Sequence, residues 1–220
     1  MKIAVVGCLH GQLNAVYETL KFIEEVHKIK VEAVLCCGDF QATRDEMDMD
    51  FMSVPQKYKK LGDFREFFVG SKTAPIPTIF IGGNHEASAH LWELYQGGWA
   101  AKNIFYLGHS GVVRFGGLRI AGCSGIFKPY DFRKGYSPPD RSQDWVRSAY
   151  HVREFEIFRL SQINEPIDVF MSHDWPQGVI SGGDGEALFR EKPFLREEGE
   201  TLGSPPLRTL LERLHPRYWF

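Results

Sequence analysis

The segment KIAVVGCLHGQL, residues 2–13, joins an apolar run that predicts a short buried β-strand to a polar cluster with sulfur and imidazole groups. The same arrangement recurs three times along the chain. GD at 38–39, GGNHE at 82–86 and SHD at 172–174 each follow directly on an apolar run typical of a strand. Because ligands bind outside the carboxyl ends of the strands in an α/β sheet, the four clusters predict one shared site.

The side chains in these clusters are of the kinds that hold a pair of divalent cations. Asp39 carries two carboxylate oxygens and can bridge two ions. We assign His10 to one side of this carboxylate, and Asn84 and His173 to the other side. Cys8 either packs as a small apolar residue or binds a metal, and its thiolate then favours Zn²⁺, Fe²⁺ or Mn²⁺ over Mg²⁺. The pattern predicts a metal-dependent hydrolase.

Two residues beside the predicted ligands have candidate roles in proton transfer. His85 follows Asn84, so its imidazole is expected to face a bound phosphate and to donate a proton to the leaving oxygen. The alternative is a histidine that only supports the metal ligands. Glu86 either orients that imidazole by accepting a hydrogen bond or is a carboxylate at the start of a helix.

Composition excludes several classes of protein. The chain has 220 residues, 43% of them hydrophobic, and predicts one globular domain over 1–220. A formal net charge of −2 provides no global basic field, so any nucleic-acid contact must be local. We expect no membrane span and no secretory leader. The four cysteines do not form a disulfide framework, which indicates a reducing compartment.

Hydrophobic periodicity predicts an α/β chain with strands and helices interleaved. GG at 116–117 predicts a hairpin turn, and GG at 97–98 predicts the end of a helix. The predicted strands are 2–7, 31–37, 78–81, 112–115, 118–122, 167–171 and a last one beginning at 218. The predicted helices are one beginning near Gly11, 90–95, 146–162 and 207–214, while 127–144 and 177–204 are predicted loops.

The order Cys-x-His, Gly-Asp, Gly-Asn-His-Glu, His resembles the signature of the calcineurin-like metallophosphoesterases. The motifs GCLHGQL, LCCGDFQA, FIGGNHEAS and SHDWP are similar to those of the RNA lariat-debranching family within that superfamily, and the resemblance covers nearly the whole chain. In that family a cysteine stands where most of the superfamily has aspartate, which supports Cys8 as a ligand.

The resemblance implies a fold, a reaction and a setting. The expected fold is an αββα sandwich of two mixed β-sheets flanked by helices, with the metal site at the carboxyl ends of the strands. The expected reaction is hydrolysis of the 2′-5′ phosphodiester at the branch point of excised intron lariat RNA, for intron turnover in the nucleus. The implied cofactors are two divalent metals, Fe²⁺, Zn²⁺ or Mn²⁺.

The resemblance also implies an inserted lariat-recognition loop at about 127–153. Positive and aromatic side chains alternate there, the pairing expected for single-stranded RNA, with charges on phosphates and rings under bases. A solvated loop with packed aromatic rings is the alternative. The candidate substrate-binding residues are Lys128, Tyr130, Arg133, Lys134, Tyr136 and Arg153.

Two other functions remain open from the sequence. One is a phosphoesterase of the same superfamily that acts on a nucleotide or a phosphoprotein with the same catalytic groups. The other is a non-catalytic RNA-binding form. The family's closing His-x-His is expected a few residues after a Tyr-Trp-Phe like 218–220, and it is not in this sequence. We therefore expect the chain as given to be C-terminally incomplete, to bind metal weakly and to be poorly active. No protein partner is indicated.

Overall fold

In the computed structural model, which describes residues 1–197 and 199–220, nine β-strands form two sheets. The first sheet has the order β1-β2-β3-β5-β4 and the second has the order β6-β7-β8-β9. The strands are β1 (Ile3–Val6), β2 (Ala33–Cys37), β3 (Thr78–Ile81), β4 (Gly98–Ala101), β5 (Ile104–Tyr106), β6 (Ser110–Phe115), β7 (Leu118–Cys123), β8 (Val169–Ser172) and β9 (Tyr218–Trp219).

Helices fill most of the connections between these strands. The α-helices are α1 (Leu13–His27), α2 (Glu46–Asp50), α3 (Phe64–Phe68), α4 (Ser88–Glu93), α5 (Pro129–Phe132), α6 (Gln143–Ala149), α7 (Glu154–Ser161), α8 (Gly185–Glu191) and α9 (Pro205–Leu214). Short 3₁₀ helices cover Gln56–Tyr58, Val179–Gly182, Pro193–Glu197 and Gly199–Thr201. Within the described part of the chain, no helix combines the length and the apolar character needed to cross a membrane.

Both sheets are mixed. In the first sheet β1, β2, β3 and β5 are parallel, and β4 is an antiparallel edge strand. In the second sheet β6 and β7 form the predicted hairpin, and β7, β8 and β9 are parallel. The parallel order of β1, β2 and β3 is what brings their carboxyl ends to one edge.

The two sheets pack face to face between layers of helix. Leu35 and Ile81 of the first sheet share one buried cluster with Ile120 and Met171 of the second. Leu13, Tyr17 and Leu20 face the outer side of the first sheet from α1, because a spacing of three or four residues places them on one face. Helices α7 and α9 cover the second sheet. The αββα sandwich expected from the resemblance is confirmed.

Several local predictions are wrong. β1 is an edge strand rather than a buried one, and Val5 is 39% exposed. Strands β4 and β5 occupy 98–106, where the sequence predicted only the end of a helix. The predicted helix 146–162 is divided into α6 and α7, because Ile126 pairs with His151 in an isolated bridge.

The two predicted loops also contain helix. The first, 127–144, contains α5 and the start of α6. The second, 177–204, contains α8 and three 3₁₀ helices, and its residue 198 lies outside the described residues. Short helices of this kind have too few apolar positions for a period to be seen in the sequence.

Candidate metal centre

The polar clusters that follow β1, β2, β3 and β8 meet in one place. Two groups of side chains there bring their ligand atoms within 4.8 Å of one another. Cys8, Asp39 and His173 form one group, and His10, Asp39 and His85 form the other. Asp39 belongs to both groups, as expected of a carboxylate that bridges two cations. The fold therefore places a thiol and an imidazole on one side of a single buried carboxylate and two imidazoles on the other.

Asp39 lies at the centre of the site and is 3% exposed. Its Oδ2 atom lies 3.6 Å from Nδ1 of His85 and 3.9 Å from Nε2 of His10. Its Oδ1 atom lies 3.5 Å from Nε2 of His173 and accepts a 2.9 Å hydrogen bond from the backbone N–H of His85. The same Nε2 of His173 lies 3.1 Å from Oδ1 of Asn84. The two oxygens of Asp39 thus face different imidazoles.

The turns that present His10 and Asp39 are conformationally unusual. Both residues have positive φ values, 46° and 47°, in a backbone region that residues other than glycine rarely adopt. The backbone N–H of His10 donates a 2.8 Å hydrogen bond to the carbonyl oxygen of Asp39. Backbone strain of this kind persists where the surrounding structure holds it, and it concentrates at functional sites.

Two glycines allow the polar groups to approach this closely. A Cβ atom on Gly83 would overlap Oδ1 and the backbone nitrogen of Asp39. A Cβ atom on Gly38, whose φ is +105°, would overlap the ring of His173. Residues with a side chain at either position would push the carboxylate and the imidazole apart. The glycines in the GD and GGNHE clusters therefore serve the geometry of the site.

Two partners of the candidate ligands were missed by sequence reasoning. The backbone carbonyl of Cys37 accepts a 2.9 Å hydrogen bond from Nδ1 of His173. Since a carbonyl can only accept, Nδ1 carries a proton, and Nε2 is the ring nitrogen that a cation at the site would bind. Nε2 of the Gln41 amide lies 3.3 Å from Nδ1 of His10. Gln41 stands two residues after Asp39 in the sequence, and this proximity is the one sequence feature that could have indicated its role.

Of the two roles weighed for Glu86, the orientation of the His85 imidazole is not supported by the hydrogen bonds of its carboxylate. Its carboxylate is 1% exposed and accepts hydrogen bonds from the backbone N–H groups of Phe40 and Gln41, each 2.7 Å, and of Gly83, 3.1 Å. Among the described residues, this carboxylate makes no hydrogen bond to the imidazole of His85. Burial and the neighbouring Asp39 carboxylate raise the pKa of Glu86 to about 7. Glu86 holds the turns after β2 and β3 together instead of orienting the imidazole.

Cys8 is exposed and faces the site rather than the core. Partial burial and the nearby Asp39 carboxylate raise the pKa of its thiol. A bound cation would act in the opposite direction and favour the thiolate. The combination of a thiolate, imidazoles and a carboxylate fits Zn²⁺, Fe²⁺ or Mn²⁺ better than the oxygen-only sites preferred by Mg²⁺. The residues present therefore fit the divalent metals implied by the motif pattern.

The segment 127–153 presents part of its predicted RNA-binding set to solvent. Tyr130 is 63% exposed, and Arg133 is exposed beside it. Lys134 is paired with Asp131 at 2.9 Å and lies over the ring of Tyr130 at 5.9 Å. Lys128 precedes them and is partly buried. These four candidate residues remain reachable by a substrate, and their contacts with RNA are a prediction.

Tyr136 and Arg153 from the same set are turned toward the protein. The ring of Tyr136 lies 4.5 Å from that of His109 and 4.7 Å from the guanidinium of Arg153. Arg153 is 2% exposed and donates to the carbonyl oxygens of His151 and Ser148, each at 2.9 Å. Direct contact between Arg153 and a substrate is therefore not supported. This guanidinium ties the end of the segment to the core.

Comparison with known proteins agrees with this geometry. Residues 1–220 match the calcineurin-like phosphoesterase family. Three curated relatives, each named lariat debranching enzyme, come from Arabidopsis thaliana, Danio rerio and Homo sapiens. They are 53%, 53% and 51% identical to this chain over 223 residues. The alignments cover all of this chain but 53%, 39% and 41% of the respective relatives, so it spans about half of their length or less.

Proposed function

Because the chain belongs to the calcineurin-like phosphoesterase family, we propose that it hydrolyses the 2′-5′ phosphodiester at the branch point of lariat RNA. The relatives that it matches are named for debranching, and this proposal carries that activity over to the present chain. The family implies divalent metal binding. Such a protein would act in intron turnover, and its setting would be the nucleus.

The proposed ligands divide between two cations that share Asp39. His10 would lie on one side, and Cys8, Asn84 and His173 on the other. When bound, two divalent cations would neutralise charge on the phosphodiester and make water a better nucleophile at neutral pH. Iron, zinc and manganese are the proposed metals, since one ligand is a thiol.

His85 is the proposed proton donor. Its side chain is 36% exposed, and Nδ1 lies 3.6 Å from Asp39, so the imidazole is held at the edge of the site and open to a substrate. In hydrolysis, water attacks phosphorus, the bond from phosphorus to the 2′ oxygen breaks, and that oxygen takes a proton. A positioned imidazole that donates this proton contributes about 10²–10⁴ to the rate. Its distance from Asp39 also permits metal ligation, and the metal content of His85→Ala distinguishes a ligand from a proton donor.

The observation that carries the proposal is the position of Cys8 with Asp39 and His173, their ligand atoms within 4.8 Å of one another. A thiol in this place distinguishes the site from one built of oxygen ligands alone. The exposed positive and aromatic groups of the segment 127–153, especially Tyr130 and Arg133, support an RNA substrate over a small nucleotide.

A paired-substrate assay tests the proposal. The chain is purified without oxygen, its metal content is measured, and it is offered branched and linear RNA of one sequence. We expect slow cleavage at the 2′-5′ bond of the branched RNA, in keeping with the weak metal binding expected above, and none of the linear RNA. Equal cutting of both RNAs, or hydrolysis of a nucleotide alone, would replace debranching by another phosphoesterase activity. RNA binding without hydrolysis in a fully metal-loaded chain would indicate a non-catalytic form.

A further inference from the structure

A cleft of about 420 Å³ opens beside the candidate metal centre on the side of His173. Its walls are the turn after β8, the first residues of the segment 127–153, and the chain that follows α8. The imidazole of His173 is part of the lining. A nucleic-acid strand that leaves the metal centre on this side would enter the cleft directly.

Backbone hydrogen bonds hold these walls together. The backbone N–H of Phe127 donates to Oδ2 of Asp174 at 2.6 Å, which joins the first two walls. The backbone N–H of Ser204 donates to the carbonyl oxygen of Trp175 at 2.7 Å. The cleft is therefore formed before a ligand binds, which lowers the entropy cost of binding.

The lining combines exposed rings with ammonium groups. Phe194 is 66% exposed and Trp175 is 43% exposed, although both are large aromatic side chains. Lys128 and Lys192 also line the cleft, and among the described residues neither has an ion-pair partner. Aromatic rings that stack on bases and cations that meet phosphates are the two components of single-strand binding sites.

We propose that this cleft binds one single-stranded RNA arm of the branched substrate, with a base against Phe194 or Trp175 and phosphate near Lys192. The inference rests on the proposed function. The cleft shares no lining residue with the second cleft, lined by Tyr130, Lys134 and others within the segment 127–153. A branch point has more than one arm, so two separate surfaces suit it. A volume of about 420 Å³ lies in the range of small-ligand sites and suits one nucleotide.

Two exposed residues test the cleft without touching the metal ligands. Binding of a fluorescein-labelled oligouridine is measured by anisotropy in metal-free buffer at several salt concentrations. Phe194→Ala should weaken binding about tenfold through lost stacking and leave the salt dependence unchanged. Lys192→Gln should reduce the slope of log affinity against log salt by about 0.7, the value for one phosphate contact on a single strand.

Matched controls lie on α1. Phe22 is 64% exposed and Lys21 is exposed, so Phe22→Ala and Lys21→Gln repeat the same chemical changes away from the cleft. We expect neither control to change the affinity or the slope. Unchanged binding in both cleft variants, or an equal loss in the controls, would overturn the cleft as an RNA site.

The cleavage assay separates this inference from the proposed function. If the wild-type chain cuts branched and linear RNA alike while Phe194→Ala still weakens binding, debranching fails and the RNA cleft stands. If debranching occurs and the cleft variants bind normally, debranching stands and the cleft fails.

Discussion

The carbonyl oxygen of Cys37 and Nδ1 of His173 lie 2.9 Å apart, and their hydrogen bond joins the two sheets at the candidate metal centre. Cys37 ends β2 in the first sheet, and His173 directly follows β8 in the second. Because Nδ1 donates, Nε2 is left to face Asp39 and Asn84. A cation on Nε2 would therefore bind groups from both sheets and stabilise their packing.

Metal binding should raise the thermal stability of the chain, and His173→Ala should remove most of that gain. At a metal concentration of about 100 Kd the expected stabilisation is about 2.7 kcal/mol, because the cation binds only the folded state. Thermal melts with and without Mn²⁺ measure the effect. His27→Ala, an exposed change at the end of α1, is the control. An undiminished metal-dependent shift in His173→Ala would remove this residue from the ligand set.

His85→Ala should reduce turnover by about 10²–10⁴ while the metal content stays near that of the wild type. The physical reason is that the variant loses the proposed proton donor and keeps all of the proposed metal ligands. Hydrolysis of branched RNA and elemental analysis are measured on the same preparation. Loss of metal together with activity would make His85 a ligand, consistent with its 3.6 Å distance from Asp39, and would place the proton donor elsewhere.

Gly83→Ala should disrupt metal binding, because its Cβ would overlap the carboxylate of Asp39. The carboxylate or the turn must shift to relieve the clash, and either movement changes the distances between ligands. Metal affinity measured by titration should fall at least tenfold. Gly182→Ala is the matched control, since nothing lies within 4 Å of its Cβ position. Wild-type affinity in Gly83→Ala would show that the site tolerates a Cβ atom at this position.

His109 should make the protein less stable as the pH falls below about 6.5. Burial and the charges of Arg153 and Arg159 lower the pKa of this imidazole to about 4. Between pH 6.5 and 4 the unfolded chain binds more protons than the folded chain, so stability is lost as the pH falls through this window. His109→Phe removes this dependence. The melting temperature of the variant should therefore fall less than that of the wild type when the pH is lowered from 7.5 to 5. An equal fall in both proteins would contradict a buried neutral His109.

Arg153→Met should lower the free energy of unfolding by about 2–4 kcal/mol, because the buried groups that accept from this guanidinium lose their hydrogen-bond donor. Its guanidinium donates to His151 and Ser148 and stacks on Tyr136. Urea unfolding measures the loss, and limited proteolysis of the segment 127–153 should become faster. Arg147→Met, at an exposed position of α6, should change neither quantity. Equal stability of the two variants would contradict an anchoring role for Arg153.

The sequence by itself predicted the polar clusters that the fold brings together at the candidate site. Long apolar runs before polar clusters identified β2, β3 and β8, because buried parallel strands lack polar positions. The clusters then predicted Asp39, Asn84 and His173 as ligands, since these donor types suit divalent cations. Motif resemblance added the αββα order of layers, which local periodicity cannot predict. The edge strand β4 and its neighbour β5 were missed because they have only four and three residues, so no period distinguishes them from a turn.

Only the tertiary structure decided what surrounds each ligand. Glu86 looked like a partner of the adjacent His85, but in the fold it accepts from backbone groups of the turn after β2, which is distant in sequence. Arg153 looked like a substrate contact and is instead buried against Tyr136. The identity of a charged residue does not show whether its side chain lies in solvent or in the core. Which of these environments it occupies depends on long-range packing, and that packing is set by contacts between residues far apart in the chain.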